Sequence, residues 1–188
     1  MNSSSNQVET IIEATLTGRD RKTGFFRFIL ALPVAIYVGA LSVSLFVPTL
    51  LALVFRGVYP SYALNFTHSL IELHNRLAAY VFLLTDDYPS IERNPKIALL
   101  FPDVDGGKRL NRWLPLVKWF LAIPLYIVGF VYVLLTYATT IVAWFSVALT
   151  GTYPKWGVDI AVGAIKYWNR VYGYAFALVT DEYPSFKL

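Results

Sequence analysis

Residues 28–55 read FILALPVAIYVGALSVSLFVPTLLALVF, and the phenol of Tyr37 is the only ionisable side chain among them. A second stretch without charge runs from Phe120 up to, but not including, Lys155. A helix needs about 20 apolar residues to cross the hydrocarbon layer of a bilayer, and both stretches exceed that. Core helices of water-soluble proteins seldom run beyond about 20 residues. Composition agrees: 56% of the chain is hydrophobic, 16% aromatic and 15% charged, against about 25% charge in soluble domains. The expected class is an all-α integral membrane protein.

The chain has no cysteine, so disulfide frameworks and thiolate chemistry are excluded. Met1 to Thr10 is polar and has no cleavage motif after a short apolar run, so a cleaved signal peptide is not expected. The net charge of +4 reflects basic residues placed beside the apolar stretches, which reads as membrane orientation rather than nucleic-acid binding.

Working outward from the two stretches, the sequence repeats itself. Leu30-Ala31-Leu32-Pro33 matches Leu121-Ala122-Ile123-Pro124, Tyr59-Pro60 matches Tyr153-Pro154, and Asn75-Arg76 matches Asn169-Arg170. Each half closes alike, on Thr85-Asp86-Asp87-Tyr88-Pro89-Ser90 and on Thr180-Asp181-Glu182-Tyr183-Pro184-Ser185. The offsets are 124 − 33 = 91, 154 − 60 = 94, 170 − 76 = 94 and 184 − 89 = 95. Four matches in one order at nearly constant offset imply two tandem copies of one unit.

Arg76-x-x-Ala79-Tyr80 followed by Leu83-Leu84-Thr85-Asp86-x-Tyr88-Pro89, with a second copy ending in Phe186, resembles a prokaryotic integral-membrane family, the domain of unknown function numbered four-three-eight-nine. The resemblance runs from about Thr23 to the C-terminus. Arg56-Gly57-Val58-Tyr59-Pro60 and Thr150-Gly151-Thr152-Tyr153-Pro154 stand where that family usually has Gly-Arg-Tyr-Pro. The resemblance implies a membrane location and brings no activity, cofactor or catalytic residue with it.

Each unit reads as three parts. A short β-like segment comes first, Val8 to Leu16 and its counterpart Ile97 to Phe101. The long apolar stretch follows, Gly24 to Phe55 or Leu114 to Thr150. Last comes a helix with a polar stripe, Tyr62 to Leu84 or Trp156 to Val179, bounded by proline motifs that cannot continue a helix. The organisation is then 1–23 as a polar segment with a short strand, 24–92 as the first membrane unit, 93–113 as a cytoplasmic linker with a short strand, and 114–188 as the second unit.

At about 1.5 Å per residue the apolar stretches reach ~48 and ~55 Å, beyond a hydrocarbon core of about 30 Å. Each is either one tilted or overhanging helix or a tight hairpin, turning at Pro48 or at Thr136 to Thr140. Arg19, Arg21, Lys22 and Arg27 precede the first stretch, and Lys108, Arg109, Arg112 and Lys118 the second. The positive-inside rule places both clusters in the cytoplasm, so each unit crosses an even number of times. A four-helix bundle is the expected arrangement, and a hairpin plus a surface helix the competing one. The expected location is the cell membrane, multi-pass, with both termini cytoplasmic.

The candidate site residues lie in the stripes: Asn65, Glu72, Asn75 and Arg76 in the first copy, Asp159, Lys166, Asn169 and Arg170 in the second. A central cation costs about 2.5–3.5 kcal/mol to insert, so these helices must pack their stripe inward or lie in the interface. Glu72 is expected to pair across the two halves with Lys166 or Arg170, and contact of those two cations with an anionic lipid headgroup is the functional alternative. The closing motifs, Thr85, Asp86, Tyr88 and Pro89 with Thr180, Asp181, Tyr183 and Pro184, read as acidic turns with interfacial tyrosine anchors. Asp103-Val104-Asp105-Gly106-Gly107 lacks the later acid of a calcium loop. His68 and His74 are spaced for opposite helix faces. Trp113, Trp119, Trp144 and Trp156 flank the second stretch as an aromatic belt would. With no catalytic, metal or cofactor motif present, the expected function is a non-enzymatic membrane scaffold or accessory subunit that contacts lipids, anionic ones included. It would assemble with itself or another membrane protein, without nucleic acid. A small transporter or channel and a membrane-shaping protein are the alternatives.

Overall fold

The computed structural model describes residues 6–18, 20, 26–42, 44–92 and 95–188, so Arg19, Arg21 and Lys22 of the first basic cluster lie outside the described residues. The order is β1 (Glu9–Ile12), α1 (Arg27–Leu41), α2 (Phe46–Leu51) continued by a π-helical turn Ala52–Arg56, α3 (Ser61–Val81), β2 (Ile97–Leu100), a 3-10 turn Asp105–Gly107, α4 (Pro115–Leu121), α5 (Ile123–Thr150) and α6 (Lys155–Ala175). The chain is mostly helical, and its strands form one antiparallel pair in the register Glu9↔Leu100 to Ile12↔Ile97.

Local chemistry sets the boundaries. Gly57 (φ 62°) and Gly151 (φ 72°) take the left-handed conformation that ends a helix without Cβ strain. Pro60 and Pro154, extended at ψ 128° and 130°, then open α3 and α6. Neither hairpin of the competing arrangement forms. Residues Thr136 to Thr140 stay inside α5, because the hydroxyls of Thr136, Thr139 and Thr140 bond back to helix carbonyls at 2.7–2.9 Å. Pro48 sits inside α2, and the break between α1 and α2 falls earlier, where Ser42 Oγ donates to Val38 O at 2.7 Å.

The elements stack in three layers. Along α1, Ala31 packs on Leu77 and Tyr80 while Val38 packs on Leu70 and Leu73, so α1 runs antiparallel to α3. On α5, Leu125 meets Tyr167 and Val171 whereas Val147 meets Val158 and Ala161, so α5 and α6 are antiparallel too. Gly129 is what allows the close approach: a Cβ there would lie 2.7 Å from Trp168 Cζ2. The strand pair covers α3 and α6 from the other side. Leu99 bonds His68 and Glu72, about 200° around α3 from the α1 contacts at 100° per residue. Strand alternation turns Val8, Thr10, Ile97, Leu99 and Phe101 inward.

The outer helical layer is apolar and uncovered. Arg27–Arg56 and Ile123–Thr150 are each long and apolar enough to cross a membrane, yet only 18% and 28% of their most apolar windows are buried. Core helices would be covered on all sides; these are covered on one.

Candidate functional site

The middle layer carries the polar residues. Asn169 Nδ2 donates to Asn75 Oδ1 at 2.9 Å and to Thr10 Oγ1 of β1 at 2.9 Å. Both asparagines are buried, and the pair ties α3, α6 and the sheet at one point. Asn75 Oδ1 accepts, so the other terminal atom of its amide is a donor, and that donor has no hydrogen-bond partner. Above the pair lies a cavity of about 440 Å³ between α1, α3, α5 and α6. Its walls are largely apolar, including Leu70, Ala78, Phe82, Val133 and Ile165, with His74, Asn75, Thr136 and Trp168 among them. Among the described residues no Asp, Glu, Lys or Arg lines it. The apolar surroundings push the His74 imidazole below its ordinary value.

A second arrangement occurs twice, once at each end of the helical layers. Arg27, 1% exposed at the start of α1, forms an ion pair with Asp86 and donates to the carbonyl oxygens of Thr85 at 2.7 Å and Tyr80 at 3.3 Å. Its guanidinium lies 4.9 Å from the centre of the Tyr80 ring. Lys118, 0% exposed in α4, pairs with Asp181 at 2.6 Å, donates to Thr180 O at 2.6 Å and lies 5.2 Å from the Tyr174 ring. The correspondence extends further. Tyr88 Oη donates to Leu30 O at 3.0 Å and Tyr183 Oη to Leu121 O at 3.2 Å. Asp86 Oδ2 accepts from Asp20 N at 3.0 Å and Asp181 Oδ2 from Asn111 N at 2.5 Å. A buried cation is stable only when paired and hydrogen-bonded, and each closing motif supplies both functions.

The closing motifs are therefore clasps on the apolar helices rather than free turns. Pro89 and Pro184 are buried behind them, and both chains enter through a leucine held at positive φ, Leu83 (60°) and Leu178 (58°), each buried. Such a backbone is rare outside glycine; here apolar burial holds it. Sequence reading assigned Arg27 and Lys118 to basic flanks and missed their role. The signal was available, since 118 − 27 = 91 matches the offset of the proline motifs beside them.

The remaining stripe residues scatter. Glu72 is buried and accepts from Leu99 N at 3.4 Å; no ion pair joins it to Lys166 or Arg170 among the described residues. Asn75 and Asn169 hold the contact between α3 and α6, while Glu72 faces β2. Arg76 is buried, and Asn65 and Asp159 are exposed. Arg170 donates to Lys187 O and stacks 5.9 Å from the Tyr167 ring. With Lys166, also half-buried, it borders a hollow beside β1. Among the described residues no cluster of His, Asp or Glu is arranged to hold a metal ion.

No curated protein and no solved structure matches the chain. Residues 21–91, a segment that ends just beyond the first clasp, match the model of the family described as Domain of unknown function (DUF4389).

Proposed function

We propose that this chain is a non-enzymatic membrane module, two copies of one unit, which lies in one leaflet and serves as a scaffold or accessory subunit at the cell membrane. The observation that carries the reading is the course of the strand segments. Gln7 bonds Glu182 beyond the end of α6, and Leu16 O accepts from Tyr153 N before its start. In the other half, Lys96 pairs with Asp87 beyond α3 and Gly106 O accepts from Tyr59 N before it. The extended segments 7–16 and 96–106, of which the paired strands Glu9–Ile12 and Ile97–Leu100 are the middle part, thus run along α3 and α6, on the face away from α1 and α5. Helices standing upright in a bilayer would carry the open edges of a two-stranded sheet, with Glu9 and Glu13, to hydrocarbon depth, where unpaired backbone groups are not tolerated.

Helices lying flat meet no such cost. The sheet then faces water, α3 and α6 lie beneath it, and the uncovered apolar layer sinks among the acyl chains. Supporting this, cations flank both ends of both apolar runs, Arg27 and Arg56 in one, Lys118 and Lys155 in the other. A length of ~42 Å for α5 is also no difficulty for a helix in the membrane plane. This reading replaces the upright four-helix bundle expected from sequence. It keeps both termini on one face, the cytoplasmic one by the positive-inside rule, and it offers no path across the bilayer for a transporter. Lipids are the immediate partners, with a second copy or another membrane protein as the assembled one. Membrane shaping is the second reading, because a one-sided apolar layer expands a single leaflet; tubulation of vesicles by purified protein tests it.

The chain has no cysteine, so single cysteines at Ser61, Lys108 and Thr152 can be labelled with a membrane-impermeant maleimide in sealed vesicles of known sidedness. All three are expected to react from the same side. Labelling of Ser61→Cys and Lys108→Cys from opposite sides would overturn the proposal.

A further inference from the structure

We infer that the cavity between α1, α3, α5 and α6 is a binding site for a single acyl chain, with the chain's ester carbonyl seated at the Asn75 amide. The inference builds on the reading that α1 and α5 face the acyl region of a leaflet.

The volume, about 440 Å³, falls in the range of about 300–1,000 Å³ typical of small-molecule sites. The sheet closes the cavity from one side, since Thr10 already bonds Asn169 from behind. The way in lies on the opposite side, between α1 and α5, which scarcely touch each other. That side is where the exposed apolar residues of both helices lie, among them Ile36, Leu134 and Leu135. Anything that enters comes from the apolar layer of the membrane.

The chemistry narrows the occupant. The walls are apolar and carry no charged side chain, so a charged headgroup would meet no counter-ion and lose its hydration. An entirely apolar chain would leave two donors unanswered: the Asn75 Nδ2 and the Trp168 Nε1, both buried and both without a partner. A buried donor without an acceptor is unfavourable, and a neutral carbonyl oxygen removes that cost. The acyl ester joins both requirements in one group, an uncharged acceptor attached to a flexible apolar chain. Thr136 cannot compete for it, because its hydroxyl is committed to Tyr132 O at 2.8 Å.

The test uses the full chain purified in detergent, with Trp113, Trp119, Trp144 and Trp156 replaced by Phe so that Trp168 alone reports binding. Methyl palmitate, hexadecane and a phosphatidylcholine brominated on one acyl chain are titrated separately. Methyl palmitate is expected to bind about tenfold tighter than hexadecane, the worth of one to two hydrogen bonds at 1.4 kcal/mol per decade. Quenching by the brominated phosphatidylcholine identifies bilayer lipid as a source of the chain; binding of methyl palmitate without that quenching restricts the source to free or single-chain esters. Asn75→Leu should abolish the ester preference, bringing the ratio of the two affinities down to about one. Should Asn75→Leu fail to fold, hexadecane and methyl palmitate are compared on Asn75→Asp, an isosteric variant that keeps an acceptor for Asn169 but removes the free donor. Equal affinity of wild type for ester and hydrocarbon, or an ester preference that survives either substitution, would overturn the inference. Because the titration is made in detergent, it does not depend on sidedness: binding with failed thiol mapping would sink the flat orientation alone, and mapping without binding would sink the site alone.

Discussion

Asn75 and Asn169, 94 positions apart, hydrogen-bond each other at 2.9 Å in the middle of the protein. They are also residues that the sequence match sets against each other, at the offset 169 − 75 = 94. Glu9 and Leu100, at one end of the strand register, meet at the similar offset 100 − 9 = 91.

The asparagine pair should behave as a unit. Asn169→Leu leaves the Asn75 carbonyl and Thr10 without their donor and is expected to destabilise by about 1–3 kcal/mol. The double variant Asn75→Leu with Asn169→Leu replaces both partners by apolar groups and should cost less than the single change. Denaturant titration of the detergent-solubilised protein measures both; strictly additive losses would contradict a pairwise bond.

The clasps should tolerate a change of cation but not its loss. Lysine occupies in the second half the place that arginine holds in the first, with the carbonyl and the carboxylate both reached. Arg27→Lys is therefore expected to cost about 1 kcal/mol or less, as a rearranged hydrogen bond. Asp86→Ala or Asp181→Ala strands a buried cation and should cost about 3–5 kcal/mol. A thermal-melt series across these three variants decides the matter.

Gly129 should resist any side chain. A Cβ would stand 2.7 Å from Trp168 Cζ2 and 3.1 Å from Tyr167 Cε1, so Gly129→Ala is expected to lose about 1–3 kcal/mol through overpacking. Trp168→Leu in the same chain should recover part of that loss, which a double-mutant cycle reads directly.

Tyr59 should contribute through its hydroxyl as well as its ring. Its Oη donates to Ala177 O at 2.5 Å within a buried cluster, and burial pushes the phenol well above its ordinary pKa. Tyr59→Phe leaves that carbonyl unpaired at a cost of about 1–2 kcal/mol, visible as a lowered denaturation midpoint with an unchanged slope.

Much of the fold was legible from the chain alone. The apolar runs, the helices α3 and α6 with their proline starts, and the strand segments at residues 8–16 and 97–101 follow from residue type and spacing, because these depend on neighbours within a few positions. The candidate site was legible only in its members. Asn75 and Asn169 were marked as matching residues, yet the expected cross-pair was Glu72 with Lys166 or Arg170, since charge attracts attention that an amide does not. The partners of Asp86 and Asp181 lay 59 and 63 residues upstream in Arg27 and Lys118, and nothing local to the closing motif points there.

The sequence by itself determined which segments avoid water and that they come in two similar sets, because hydrophobicity and recurrence are properties of the residues in order. Only the tertiary structure decided which face each helix covers. The strand pair comes to lie along α3 and α6 through contacts such as Leu99 with Glu72 and Thr10 with Asn169, between residues distant in the chain. That placement sets where polar backbone sits relative to the apolar layer, and the position of unpaired backbone groups, rather than the length of an apolar run, governs how a protein can lie in a membrane.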